Sequence, residues 1–394
     1  MGFIGACKSI DVQEGIGDQL TSTDFHNHRS NLSNAALRFD QEKTGRIAFL
    51  GGSITFNGGW RDSLEQYFTH RFPDTKFEFI RAGISSMGST PSAFRLERDV
   101  LSKGRVDLLF QEAAVNDDTN GRTKKEQLRA IEGIVRNLRN SNPYIDIVLI
   151  HFVDPGKMVT YRADKIPDVI QAHESVAQHY NISSINLAKE VTERIDNGEF
   201  TWDGDFINLH PSPFGQGIYA YSMIEFLENN FDKNSESQDK MLAHPIPAIL
   251  TKGAYDNGRL INASEATYEE GWDLDENWIP VDNTGTRDNY HHVPMLISTT
   301  PRSQLQFLFT GSTIGIAVAA GQDAGIIEYR IDNGHWHQQN LFTKWSASLH
   351  LPWYFTLATD LSDSAHVLEL KVAENRDERS IGNACRIRYF FINQ

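Results

Sequence analysis

Cysteine is almost missing from this 394-residue chain: Cys7 and Cys385 stand near opposite ends. Two cysteines make neither a disulfide framework nor a zinc motif. They read as two free thiols, with a single terminal staple as the alternative. Long apolar runs are missing too, and no stretch approaches the ~20 residues that a membrane span needs. The N-terminus, MGFIGACKSIDVQEG, lacks the basic start and apolar centre of an intact secretory leader. A leader removed beforehand is compatible with the sequence, so a soluble protein in the periplasm, outside the cell or in the cytoplasm is expected. Positive charge is in deficit, with 37 Lys and Arg against 52 Asp and Glu and a net charge of −15. That balance argues against nucleic acid and anionic membrane surfaces as partners. It fits a neutral or cationic substrate. Oligomeric state is not legible.

What is present is enough apolar material, 40% of residues, for real cores. At about 100–200 residues per domain the length points to two domains. After a polar stretch over residues 1–40, apolar runs and helical periodicity alternate. Strands are expected at Arg46–Leu50, Lys76–Ile80, Val106–Phe110, Ile145–Phe152 and Ile182–Ile185. Helices are expected at Gly59–Phe72, Ser92–Leu101, Lys124–Asn140, Pro167–His179 and Pro213–Asn229. Strands alternating with helices predict a parallel sheet covered on both faces, with the site at the carboxyl ends of the strands. The texture changes near residue 232, where DKNSESQDK reads as a linker over 233–245. Beyond it come short runs at Gln304–Phe309, Thr313–Val318, Gly325–Ile331, His366–Val372 and Ile387–Ile392. Gly, Asp and Asn turns separate them, the pattern of an all-β sandwich over 246–394.

Chemistry-bearing residues fall just after the predicted strands. Gly51-Gly52-Ser53 ends the first apolar run. Glycines permit a sharp turn that lifts a serine hydroxyl to the top of a sheet; a helix N-cap is the plainer reading of the same serine. A nucleophilic serine needs a base. His210, before Pro211 and a helix, is available in a loop, where a solvent-exposed histidine is the plainer reading. Asn116 follows the third strand and can donate to an oxyanion or simply cap a turn.

Taken in order, four blocks resemble the SGNH (GDSL-type) hydrolase superfamily over roughly residues 45–230. They are Gly51-Gly52-Ser53-Ile54-Thr55, Ala82-Gly83-Ile84-Ser85-Ser86-Met87-Gly88-Ser89, Ala114-Val115-Asn116-Asp117 and His210-Pro211. The resemblance implies a flavodoxin-like three-layer α/β domain over 41–232, followed here by a jelly-roll-like β-sandwich. It implies a serine nucleophile, Ser53, and a general base, His210. The implied oxyanion hole uses the Ser53 N–H, the Asn116 side chain and an N–H from Ser86 or Gly88. It further implies ester hydrolysis, most often of acetyl groups on polysaccharides, so an acylated oligo- or polysaccharide is the expected partner. Neither metal nor cofactor is required.

Two departures stand out. Serine occupies position 86, where the family usually has glycine. The acid usually found three residues before the histidine is replaced by Ile207. Asp205 is the candidate acid, with Asp203, Asn208 or a backbone carbonyl as alternatives. Glu112, Asp117, Asp118 and Asp205 also leave room for paired-carboxylate glycoside hydrolysis. A lipase or thioesterase, or a non-catalytic glycan-binding protein, are further alternatives. The β-domain holds five of the seven tryptophans: Trp272, Trp278, Trp336, Trp345 and Trp353. They suit glycan stacking or plain core packing. The apolar segment FTKWSASLHLPWYF (342–355) is expected to pack on the first domain and shape its cleft. The combination of domains is similar to that of several bacterial carbohydrate esterases. His26, His28, His291, His292, His335 and His337 lack carboxylates at ligand spacing and are not read as metal ligands.

Overall fold

The computed structural model describes residues 20–234 and 239–394. Cys7 and part of the expected linker lie outside the described residues. Cys385 is a buried free thiol.

The first domain is built on a six-stranded sheet. Its strands are β1 (His26–Asn27), β2 (Thr44–Gly51), β3 (Lys76–Gly83), β4 (Leu108–Glu112), β5 (Asp146–Ile150) and β6 (Ser183–Ile185). They lie in the order β1-β6-β5-β4-β2-β3. The last five are parallel, and β1 pairs antiparallel with β6 at the edge. Among the described residues ten α-helices accompany them: α1 (Ser33–Asp40), α2 (Ser53–Asn57), α3 (Trp60–Arg71), α4 (Ser89–Asp99), α5 (Ala114–Thr119), α6 (Lys124–Ser141), α7 (Pro155–Arg162), α8 (Asp168–His179), α9 (Leu187–Asp196) and α10 (Pro213–Asn234). Successive strand residues point to opposite faces. Phe49, Phe110 and Val148 therefore join Phe39, Leu64, Val191 and Phe226 of α1, α3, α9 and α10 in one core. Leu50, Leu109 and Leu149 join Phe94, Ile134 and Val176 of α4, α6 and α8 in the other. Strands buried on both faces read as continuous apolar runs, which is why they stood out in the sequence.

Residues 22–40, expected to be part of an extension, pack on this domain: β1 completes the sheet edge, and Leu32 before α1 and Ala35 and Phe39 within it are buried in the core. The stretch after α10 is also less free than its composition indicates. Residues 239–257 form no helix or strand, yet they are pinned across α6. Arg139 and Arg136 donate to the carbonyls of Pro245 and Pro247, and Glu132 accepts from the N–H groups of Leu250 and Thr251.

The second domain is two facing sheets. In a seven-stranded sheet, Thr313–Ala320 lies between Leu349–Ala358 and Cys385–Asn393. The other, of five strands, centres on Gln304–Thr310, Ala365–Val372 and Ile326–Ile331. Ile316, Val318 and Phe390 meet Phe307 and Leu368 between them. The outer face of the larger sheet is not left to solvent. Ala317, Tyr354 and Phe391 continue into the core beneath α4 and α6, and the rings of Phe94 and Phe391 lie 4.4 Å apart. This explains a contrast in sequence: all eight residues of TIGIAVAA are buried, whereas QLQFLFT alternates. The first strand is covered on both sides, the second on one.

Candidate active site

In an open parallel sheet the crevice forms where successive connections leave in opposite directions. Here β3 lies on one side of β2 and β4 on the other. Ser53 follows β2 and Asn116 follows β4, so both stand at that crevice. Buried side chains hold the turn after β2. The Glu112 carboxylate accepts from the Gly52 N–H (3.2 Å) and the Val115 N–H (3.4 Å). Arg95, fully buried on α4, donates to the carbonyls of Gly51 (3.2 Å) and Ala82 (2.8 Å), joining the ends of β2 and β3. Gly52 has a steric reason as well: a Cβ there would run into Asn116 Oδ1 and come within 3.3 Å of the Met87 carbonyl. Asp117, also fully buried, accepts from the Ser89 N–H (2.8 Å) and contacts His173 Nε2 (3.0 Å), fixing the loop after β3 to α5 and α8.

His210 arrives from the loop before α10. Its Nε2 lies 2.7 Å from Ser53 Oγ, and its own N–H donates to Asn208 Oδ1 at 2.8 Å. With Nδ1 carrying the proton, Nε2 accepts the serine hydroxyl. Partial burial first, and the charge of Arg287 second, hold this imidazole below its ordinary pKa, so it stays neutral and basic further into acid.

Asp205 does not reach His210. Its carboxylate accepts from the N–H and hydroxyl of Thr201, both at 2.8 Å, and these bonds lower its pKa. A π turn over Trp202–Phe206 carries Asp203 and Asp205, and Ile207 follows with φ +80°. That extra turn directs the acids away from the histidine. Among the described residues, no side chain or carbonyl contacts His210 Nδ1, and Asn208 holds the main chain rather than the ring.

The cleft over Ser53 has a volume of about 300 Å³ and is walled by both domains. Ser53, Ser86, Asn116 and His210 come from the first; Arg287, Trp345, Leu349 and Leu351 come from the second. The N–H groups of Ser53 and Ser86 and the Asn116 side-chain amide have no acceptor among the described residues. Gly88 does not line the cleft, and a Cβ there would run into the Asp117 carboxylate. The carboxylates that a glycosidase would need do not face each other across this space. Glu112 and Asp117 are buried scaffolding, and Asp118 sits beside Lys157 at 3.6 Å. Of the tryptophans, Trp272 and Trp278 are core, Trp345 lines the cleft, and Trp336 lies under Arg330 and Lys371. Of the histidines, His26 contacts Ser222 Oγ at 3.0 Å and packs edge-on against Phe226. Among the described residues no group of three or more His, Cys, Asp or Glu could hold a metal ion.

Sequence reading did not find Arg95 or Arg287, and it offered Glu112 only as a glycosidase carboxylate, not as the support of the turn after β2. Arg95 carries no motif of its own, and Arg287 reaches the site from another domain. Glu112 gives a measurable consequence. Burial raises its pKa to about 7. A carboxyl whose pKa is higher folded than unfolded stabilises the fold below its unfolded value and loses that contribution as pH rises through the folded one. Unfolding free energy should therefore fall between about pH 4.5 and 7 in wild type, and Glu112→Gln should remove that slope. Comparing the two by chemical denaturation at pH 4.5 and 8, the difference should move by about 3 kcal/mol in favour of the variant.

Residues 49–218 match the model of the GDSL-like lipase/acylhydrolase family. Over nearly the whole chain the fold is similar to that of a solved two-domain esterase (CEX) active on acetylated mannans. The structure co-crystallised with mannopentaose aligns with a TM-score of 0.76 at 20% identity, covering 95% of this chain and 98% of that one. A second structure of a two-domain CEX esterase gives 0.73 at 20% identity, covering 95% and 99%. No curated protein matches the chain. No helix among the described residues is long and apolar enough to cross a membrane. Residues 49–218 thus match the GDSL-like lipase/acylhydrolase family, in a chain whose all-β domain walls the cleft of that segment.

Proposed function

We propose that this protein is a serine esterase that removes acyl groups, chiefly acetyl, from a carbohydrate. The observation that carries the reading is the 2.7 Å contact between Ser53 Oγ and His210 Nε2, in a cleft with three unengaged N–H donors. Ser53 Oγ attacks the ester carbonyl while His210 takes its proton. The oxyanion accepts from the N–H groups of Ser53 and Ser86 and from the Asn116 amide. The sugar alkoxide leaves with the proton from His210. Water, deprotonated by the same imidazole, then cleaves the acyl-Ser53 ester and frees the carboxylate. The lining mixes serine, threonine and asparagine side chains with Val115, Leu209, Trp345, Leu349 and Leu351, and its small volume of about 300 Å³ suits a short acyl group better than a fatty chain. The likeness in fold to an esterase active on acetylated mannans makes acetylated mannan the first glycan to try.

The test is covalent. Incubation with diethyl 4-nitrophenyl phosphate, followed by peptide mass spectrometry, should place one diethylphosphoryl group on Ser53. Acetate should be released from at least one member of a panel of acetylated glycans that includes mannan. An unmodified Ser53 together with no acetate from any glycan would remove the reading.

A further inference from the structure

Ser86 stands where the resembling family usually has glycine, and its backbone shows why that matters. Its φ is +70°, the left-handed region that a side chain disfavours. Two groups hold it there. Asn120 Nδ2 donates to the Ser86 carbonyl at 2.9 Å, from the first domain. Arg287 Nη2 donates to the Ser86 hydroxyl at 2.9 Å, from the second. Glycine at this position would need no such clamp.

Arg287 is itself firmly placed. Gly285 and Thr286 pair in parallel with Leu349 and His350 of the larger sheet. Tyr290, three residues on, is buried, and its N–H donates to the Arg287 carbonyl at 2.8 Å. The guanidinium forms no ion pair among the described residues, and its buried Nε has no partner. An arginine left without a carboxylate in so acidic a chain is not explained by surface salt bridging.

We propose that Arg287 of the all-β domain is a positioning residue for the oxyanion hole: by bonding the Ser86 hydroxyl, it holds the left-handed turn that presents the Ser86 N–H to the cleft. The second domain thereby completes a catalytic element of the first. The serine in the second block is then not a lapse from the family pattern but half of an interdomain clamp. Arg287 also lies close enough to His210 to depress the pKa of that imidazole. This inference rests on the esterase reading.

The test uses the full chain and 4-nitrophenyl acetate, a substrate too small to report on glycan contacts. Arg287→Gln should lower kcat about tenfold to a hundredfold, short of or equal to loss of a whole oxyanion donor, with KM little changed. In a Ser86→Gly background, where the left-handed turn is free, Arg287→Gln should cost much less, under about threefold. In both backgrounds the acidic limb of kcat/KM should move to higher pH, because removing a cation lets His210 protonate more readily. An equal loss of kcat in both backgrounds, or no loss in either, overturns the clamp while leaving the esterase standing. A wild type that neither hydrolyses the ester nor is labelled at Ser53 overturns both.

Discussion

Ser53→Ala should lower ester hydrolysis by at least about a thousandfold, and His210→Ala by a similar factor, the scale seen when one member of a catalytic unit is lost. The reason is geometric. The serine hydroxyl is a weak nucleophile until its proton can pass to a base, and among the described residues His210 Nε2, at 2.7 Å, is the base within reach of it. Neither change disturbs the core, since Ser53 opens a five-residue helix and His210 is exposed. The informative comparison is Asp205→Asn. Its carboxylate is spent on Thr201, so this variant should keep the rate within a small factor of wild type. Steady-state rates on 4-nitrophenyl acetate decide the matter. A loss with Asp205→Asn as deep as with His210→Ala would mean that the acid swings onto Nδ1 in the reacting enzyme. A small loss leaves a serine–histidine dyad, whose imidazole is oriented by the Asn208 bond to its main chain and by the packing of the loop.

The parts of this molecule that were legible share a physical cause. Parallel strands covered on both faces must be apolar throughout, so RIAFL, VDLLF and IDIVLI announced themselves. α6 carries a reciprocal cap between Thr123 and Glu126 as well as a clear apolar stripe. Ser53, Asn116 and His210 were legible because each sits at a strand end or a loop, where side chains are not needed for packing. What was hidden is equally specific. β1 is two residues long, His26 and Asn27, and no periodicity exists in two residues. α7 is a short helix with a weakly apolar face, and the strand Asp273–Trp278 is mostly exposed, so neither gives a strong pattern. Asp205 misled because distance along the chain stood in for distance in space, and the π turn with left-handed Ile207 changes the path between acid and base. Arg287 was out of reach for a different reason: its role depends on a domain interface, and Ser86 and Arg287 are 201 positions apart.

Gly52→Ala should abolish most of the activity without unfolding the protein, because the side chain it strikes is the proposed oxyanion donor Asn116 rather than a core residue. The new methyl would occupy the place of Asn116 Oδ1. Asn116 is half-exposed at the cleft, so its amide can rotate away at little cost to the core, and the oxyanion loses a donor. Loss of one such donor is worth about 10²–10³ in kcat, and Gly52→Ala should fall in that range. Asn116→Ala should cost about the same by removing the donor outright. The pair together distinguishes the cause. Once Asn116 is alanine the methyl at position 52 has room, so the double variant should be scarcely slower than Asn116→Ala alone. Should the two losses multiply instead, the methyl acts on the turn itself, through the Met87 carbonyl or the Gly52 N–H held by Glu112. In that case the glycine serves to place Ser53, and the burial of Glu112 beneath it becomes the feature on which nucleophile geometry depends.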